Sequence, residues 1–200
     1  MKLRLKNCEV EIHFMFAAAV TLMLILDTGG TAALGVASCL AHESGHLLFL
    51  LLFGDSPRKI HLGAFGMRIE RNCALKLSLA KECAIVLAGP IFNLVLAGLF
   101  ALSQNTETSA FRNAALVNLG LALFNLLPIE ALDGGRALYY ILCASSFGED
   151  KARRICGKVS LVVLIPLICL GVALLVVSGY NFTLLIVSVY LFLLLMFKKK

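Results

Sequence analysis

His42-Glu43-Ser44-Gly45-His46 lies inside Cys39–Phe53, CLAHESGHLLFLLLF, a run that otherwise reads as lipid-facing helix. The pattern is HExxH. On a helix, positions i and i+4 share a face, so both imidazoles can hold one Zn2+. Glu43 sits beside that face, where it can take a proton from water. Ionisable groups in a membrane segment cost roughly 2.5–3.5 kcal/mol each at mid-bilayer. Three polar groups within five residues therefore call for a compensating partner. Metal ligation supplies one, since structural zinc in finger peptides is worth roughly 10–16 kcal/mol. The competing reading is a polar cluster between helices with no metal.

A hydrolytic zinc site needs a third protein ligand and an open position. No third His or Glu follows HESGH at close spacing, and His13 and His61 fall in strand-like segments. The better candidates lie in NLLPIEALDGGR, Asn125–Arg136. Pro128 is expected to end or break a span. Gly134-Gly135 is expected to let the backbone turn sharply behind Asp133. That places a carboxylate at a break in a membrane helix, where non-helical backbone must be buried in protein or face a wet cavity. Glu130 competes as the ligand, and the flanking glycines favour Asp133. A third element is AGPIFN, Ala88–Asn93. Gly-Pro within an apolar run kinks it and permits close helix packing. Asn93 is a lone amide there: either a packing residue, or a contact behind the metal ligands or to a substrate backbone.

Composition sets what must position these groups. The chain has 200 residues and is 60% hydrophobic, with a mean hydropathy of +0.92. A soluble domain of this size cannot hide so many apolar side chains. The fold expected is a single membrane α-helical domain over residues 1–200, with about six spans. They fall near Phe14–Leu26, Thr31–Phe53, Cys83–Leu102, Ala114–Ile129, Val159–Val177 and Tyr180–Phe197. The first and fourth are short for a bilayer crossing, which takes about 17–25 residues. Seventeen of the eighteen Lys and Arg fall on one side of this layout, with Arg112 opposite. By the positive-inside rule both termini are cytosolic. The net charge of +6 is then a topology signal, and with no basic cluster interleaved with aromatics a nucleic-acid partner is not expected.

Four short stretches are not helical in pattern. Lys2–Lys6 and Glu9–Phe14 alternate with period two, as do Lys59–Ala64 and Met67–Glu70. Period two argues for half-buried strands, so a small membrane-associated β-sheet is expected on the cytosolic side. The seven cysteines form no CxxC pair, which argues against a disulfide framework or a Cys zinc site. Gln104–Ser109 and Ser145–Lys151 are the segments expected to be least ordered.

HESGH, GPIFN and NLLPIEALDGGR, in that order along apolar spans, resemble the site-2 protease family of intramembrane zinc metalloproteases. The layout is most similar to the stage IV sporulation protease branch. The resemblance implies that His42, His46 and Asp133 bind one zinc, that Glu43 activates water, and that Asn93 and Asn125 line the substrate site. It implies a membrane-embedded or membrane-tethered protein substrate, an example being a sporulation-type transcription factor precursor. It also implies the membrane of a bacterial-type cell and room for an inhibitory membrane partner. Members of that branch often carry a nucleotide-sensing CBS domain after the last span. The sequence given stops at Lys200 and has no PDZ-like insertion, so neither mode of control is expected. Ala131 stands where many relatives have proline. The rival readings are a zinc transporter or metal sensor, and a non-catalytic binder of transmembrane segments. Glu43 argues against the binder, because a structural zinc site does not need that residue.

Overall fold

The computed structural model describes residues 2–5, 8–27, 29–63, 66–71, 77–103, 109–145 and 147–197. Lys6, Ala64 and nearly all of the Gln104–Ser109 segment lie outside these. The described chain runs β1 (Lys2–Leu5), β2 (Cys8–Ile12), α1 (Phe14–Leu26), α2 (Thr31–Leu52), β3 (Pro57–Gly63), β4 (Gly66–Arg71), α3 (Leu79–Leu102), α4 (Ser109–Asn125), α5 (Asp133–Ala144), α6 (Glu149–Ser178) and α7 (Thr183–Phe197). The period-two segments do form strands, and the apolar runs do form helices.

The sheet is ordered β1-β2-β3-β4. β1 pairs antiparallel with β2, and β3 antiparallel with β4. β2 and β3 pair in parallel, with Glu11 opposite His61. Parallel neighbours need a long crossover. Here the crossover is the α1–α2 pair, which carries the chain away from the sheet and back. The sheet therefore sits at the α2 C-terminal end of the helices, next to the HExxH turn.

Three described helices are long and apolar enough to cross a membrane: Thr31–Leu52, Leu79–Leu102 and Glu149–Ser178. Phe16–Leu26 and Thr183–Phe197 are shorter apolar helices. Helix ends depart from the hydropathy limits for identifiable reasons. α3 starts at Leu79, four residues before the expected Cys83, because Ser78 caps it by accepting from the Lys81 N–H at 3.5 Å. α6 starts at Glu149, ten residues before Val159. Hydropathy marks where lipid begins, and a helix can continue beyond it on charged turns such as Lys151–Lys158. α4 ends at Asn125, short of the expected Ile129.

α3 is the central helix, packed against α2, α4 and α5, while α6 packs on α5 and α7. α2 and α3 approach very closely at Gly45, where an added Cβ would lie 2.8 Å from the Ala88 carbonyl oxygen and 3.0 Å from Phe92 Cβ. A second packing centre joins Ile129 to Leu164, Leu191 and Leu195. Many large apolar side chains face outward, including Val177 at 86% exposure and Leu102 at 82%. In water such a surface would be untenable; in a bilayer it is the expected exterior.

Candidate metal centre

α2 presents His42 and His46 on its inner face, one turn apart. The His46 Nδ1 donates to the Ile85 carbonyl oxygen of α3 at 2.8 Å. A carbonyl carries no proton, so the hydrogen is on Nδ1 and the Nε2 lone pair points into the site. A hydrogen bond on the far ring nitrogen is how proteins fix the tautomer and aim of a ligating imidazole.

Asp133 arrives from a different direction. After α4 the chain leaves the helix at Leu126–Leu132 and re-enters it at Asp133, the first residue of α5. Backbone in this bend must find partners inside the protein. Ser160 of α6, fully buried, provides one: its hydroxyl accepts from the Glu130 N–H at 2.9 Å and donates to the Cys156 carbonyl at 2.7 Å. The glycines after Asp133 act differently from expectation. Both are helical and neither has positive φ. They are required because a Cβ on Gly134 would strike the Leu126 and Leu127 carbonyls, and one on Gly135 the Ile129 carbonyl. The DGG sequence thus seats the start of α5 directly on the bend, which carries the Asp133 carboxylate inward. α5 itself was not foreseen. It is an amphipathic helix of 12 residues, too short and too polar to register as a span.

The three side chains converge. His42 Nε2 lies 3.0 Å from Asp133 Oδ2, His46 Nε2 lies 3.3 Å from the same oxygen, and the two Nε2 atoms are 3.1 Å apart. Together they form a His-His-Asp group that could hold a metal ion. Zinc bonds to N and O of about 2.0–2.1 Å in tetrahedral geometry put ligand atoms about 3.3 Å apart. The observed spacings are close to that, and three lone-pair-bearing atoms facing one another suit a cation at their centre. Glu130 is not in the group.

Gly89 of α3 completes the pocket by what it lacks. A Cβ there would collide with His46 Nε2, with His46 Cε1 at 2.6 Å and with His42 Nε2 at 2.8 Å. The sequence marked GPIFN as a close-packing element; the close partner is the pair of imidazoles. No sequence signal pointed to the Ile85 carbonyl or to Ser160.

The group opens on a cavity of about 870 Å3 lined also by Glu43, Asn125, Arg136 and the β3–β4 residues His61, Gly63, Ile69, Glu70 and Arg71. Of the residues expected at a substrate site, Asn125 is on this wall; Asn93 is fully buried and is not. The Asn125 Nδ2 donates to the Leu121 carbonyl at 3.0 Å. On the cavity wall, Arg71 makes two 2.8 Å bonds to Glu82 at the start of α3 and lies 3.7 Å from the buried Asp55. The Glu82 carboxylate raises the Arg71 guanidinium above its usual pKa, so this clamp between sheet and helix stays charged.

The family description "Peptidase family M50" matches residues 102–167, the stretch containing the bend and Asp133. That stretch of the chain is similar to peptidase family M50. Stage IV sporulation protein FB of Bacillus subtilis is 31% identical over 137 residues, 65% of this chain and 46% of that protein. Rip3 of Mycobacterium tuberculosis, whose name includes the words zinc metalloprotease, is 33% identical over 164 residues, 78% of this chain and 41% of that protein. The chain thus spans less than half the length of these curated relatives. In fold it is similar to the site-2 protease from Methanocaldococcus jannaschii. That likeness has a TM-score of 0.67 at 21% identity and covers 100% of this chain and 95% of that one. The metal implied by these relationships is zinc, and the donor set fits it.

Proposed function

We propose that the chain is a zinc-dependent intramembrane endopeptidase that cuts a membrane-embedded or membrane-tethered protein. The observation that carries this reading is the convergence of two imidazole nitrogens and one carboxylate oxygen on a cavity that Glu43 also lines. His42, His46 and Asp133 hold the metal. When bound, zinc supplies Lewis-acid polarisation and lowers the pKa of water. Glu43 takes the proton from the attacking water and delivers it to the leaving amine nitrogen. Asn125 holds the substrate backbone at the cavity wall. Because Glu43 has an acid–base role and no ligand role, Glu43→Gln is the decisive variant.

In this proposal the whole chain is one domain of about six spans with both termini cytosolic. α1, α4 and α7 complete the crossings that α2, α3 and α6 are long enough to make alone. His46 lies six residues before the end of α2, roughly 9 Å at 1.5 Å per residue. The cut therefore falls near the cytosolic end of a substrate span. β4 is an edge strand whose Ile69, Glu70 and Arg71 line the cavity, so an unwound substrate segment can pair with it by strand addition. A sporulation-type transcription factor precursor is the substrate class that the resemblance to the stage IV sporulation protease branch suggests. The test is cleavage of a model single-span substrate by purified protein, with metal content measured in parallel. Wild type is expected to cut and to carry zinc; Glu43→Gln is expected to carry zinc without cutting. Undiminished cleavage by Glu43→Gln would remove Glu43 from the chemistry.

A further inference from the structure

Four buried polar side-chain atoms have no hydrogen-bond partner among the described residues: His42 Nδ1, Asn93 Nδ2, Asn93 Oδ1 and Asn118 Oδ1. Buried polar groups are nearly always paired, so four in one region need a common explanation. His42, Asn93 and Asn118 are 6%, 0% and 2% exposed. They come from α2, α3 and α4, three helices that pack on one another.

Their chemistry is complementary. With Nε2 of His42 facing the Asp133 carboxylate and His46, its lone pair serves the metal and its proton sits on Nδ1. Nδ1 is then a donor. Asn93 offers an acceptor, Oδ1, and a donor, Nδ2. The Asn118 Nδ2 already donates to the Ala114 carbonyl at 2.9 Å, which leaves Oδ1 as an acceptor. The set is two donors and two acceptors, ordered so that one chain of bonds satisfies all four.

Their placement agrees. Gly89 faces both ligating imidazoles, and Asn93, four residues on, lies on the same face of α3 one turn deeper. Asn93 precedes Leu102, the last residue of α3, by nine positions. Asn118 follows Ser109, the first residue of α4, by nine positions. Successive packed helices joined by a short connection run antiparallel, so both amides stand at one depth, roughly 14 Å from the shared end at 1.5 Å per residue. His46 has a backbone carbonyl on its far ring nitrogen; the His42 Nδ1 has no partner among the described residues, and Asn93 lies on the α3 face that meets the imidazoles.

We propose that Asn93 is a positioning residue for the metal centre: a buried water accepts from the His42 Nδ1–H and donates to the Asn93 Oδ1, and the Asn93 Nδ2 continues the chain by donating toward Asn118 Oδ1. A buried water needs two to four polar partners, and these atoms provide them. The effect is to hold His42 in the one tautomer that can ligate. Hydrogen-bonding groups behind a ligand are commonly worth 10–100-fold in metal affinity.

The inference rests on the zinc reading above, and the experiment separates the two. Zn2+ affinity is measured by chelator competition on the purified full chain, with Co2+ absorption as a report on ligand geometry. Asn93→Leu is expected to weaken Zn2+ about 10–100-fold and to alter the Co2+ spectrum. Asn93→Asp keeps an acceptor and is expected to restore affinity to within a few-fold. Asn118→Leu, one link further away, is expected to cost only a few-fold. If Asn93→Leu fails to fold, Asn93→Ala carries the same expectation. A packing amide would instead lower the unfolding temperature of the metal-free protein while leaving Zn2+ affinity and the Co2+ spectrum unchanged; that result overturns the proposal. Wild-type protein without Zn2+ affinity overturns the metal reading and this inference with it.

Discussion

Gly89→Ala should remove zinc from this protein while leaving it folded. The added Cβ would sit 2.6 Å from His46 Cε1 and 2.8 Å from His42 Nε2. Ordinary carbon contacts begin at about 3.5 Å, so one or both rings must retreat by roughly 0.7–0.9 Å. The helices cannot open to accommodate this cheaply, because α2 and α3 are already in contact through Gly45 at the Ala88 carbonyl. Metal–ligand distances tolerate only about ±0.2 Å. The displacement is several times that, enough to break one ligand bond. Loss of affinity should be on the order of 100-fold or more, about 2.8 kcal/mol at 1.4 kcal/mol per tenfold.

The effect on the metal-free fold is of opposite sign in part. Ala is favoured over Gly in a helix interior by about 1 kcal/mol, against an overpacking cost of about 1–3 kcal/mol. The assay is Zn2+ titration against a competing chelator, with thermal unfolding in the presence and absence of Zn2+. Wild type should gain stability from Zn2+ by mass action, and Gly89→Ala should not. Gly98→Ala is the matched control, the same change in the same helix with nothing within 4 Å of the new Cβ. If Gly89→Ala held Zn2+ within threefold of wild type, the close approach of Gly89 to the two imidazoles would be refuted as a design feature of the site.

Asp133→Ala should lose far more Zn2+ affinity than Glu130→Ala, because only Asp133 joins the two imidazoles; equilibrium dialysis of both variants decides it. Ser160→Val should destabilise the fold by about 1–3 kcal/mol by orphaning the Glu130 N–H, and should weaken Zn2+ by loosening the bend that carries Asp133; denaturation and metal titration check the two effects. Glu82→Gln should replace the charged clamp on Arg71 with a weaker amide contact and lower the unfolding temperature, with Zn2+ affinity within a few-fold of wild type.

The grouped side chains that could hold a metal were legible in the sequence because membrane burial makes polar residues conspicuous. His42, Glu43 and His46 stood out against Cys39–Phe53 for that reason, and the i, i+4 spacing carried the geometry with it. Asp133 was legible for a related reason, since a carboxylate beside Pro128 and two glycines marks a break in apolar chain. The reason first attached to those glycines, a special turn, was the wrong kind. A glycine can be required by its φ or by its neighbour, and sequence does not distinguish the two. At Gly134, Gly135 and Gly89 the neighbour decides. The strands were legible from alternation, but the parallel β2–β3 pairing was not, because it follows from α1 and α2 together returning the chain to the same side.

What the sequence hid was supplied by groups without a distinctive residue type. The Ile85 carbonyl that aims His46 is backbone, invisible to any reading of side chains. Ser160, which satisfies the bend, sits among apolar residues of α6 and resembles the ordinary serines of a membrane helix. α5 escaped because the whole helix is only 12 residues long and starts at Asp133 itself. Asn93 shows the same limit from the other side. Its presence in an apolar helix was visible, and its two roles, toward substrate or behind the ligands, were indistinguishable by type. Complete burial, with the cavity wall elsewhere, is what supports the proposed role behind the ligands. A side chain that never meets solvent can act on substrate only through a neighbour, and the neighbour one turn up from Asn93 is the ligand pair itself.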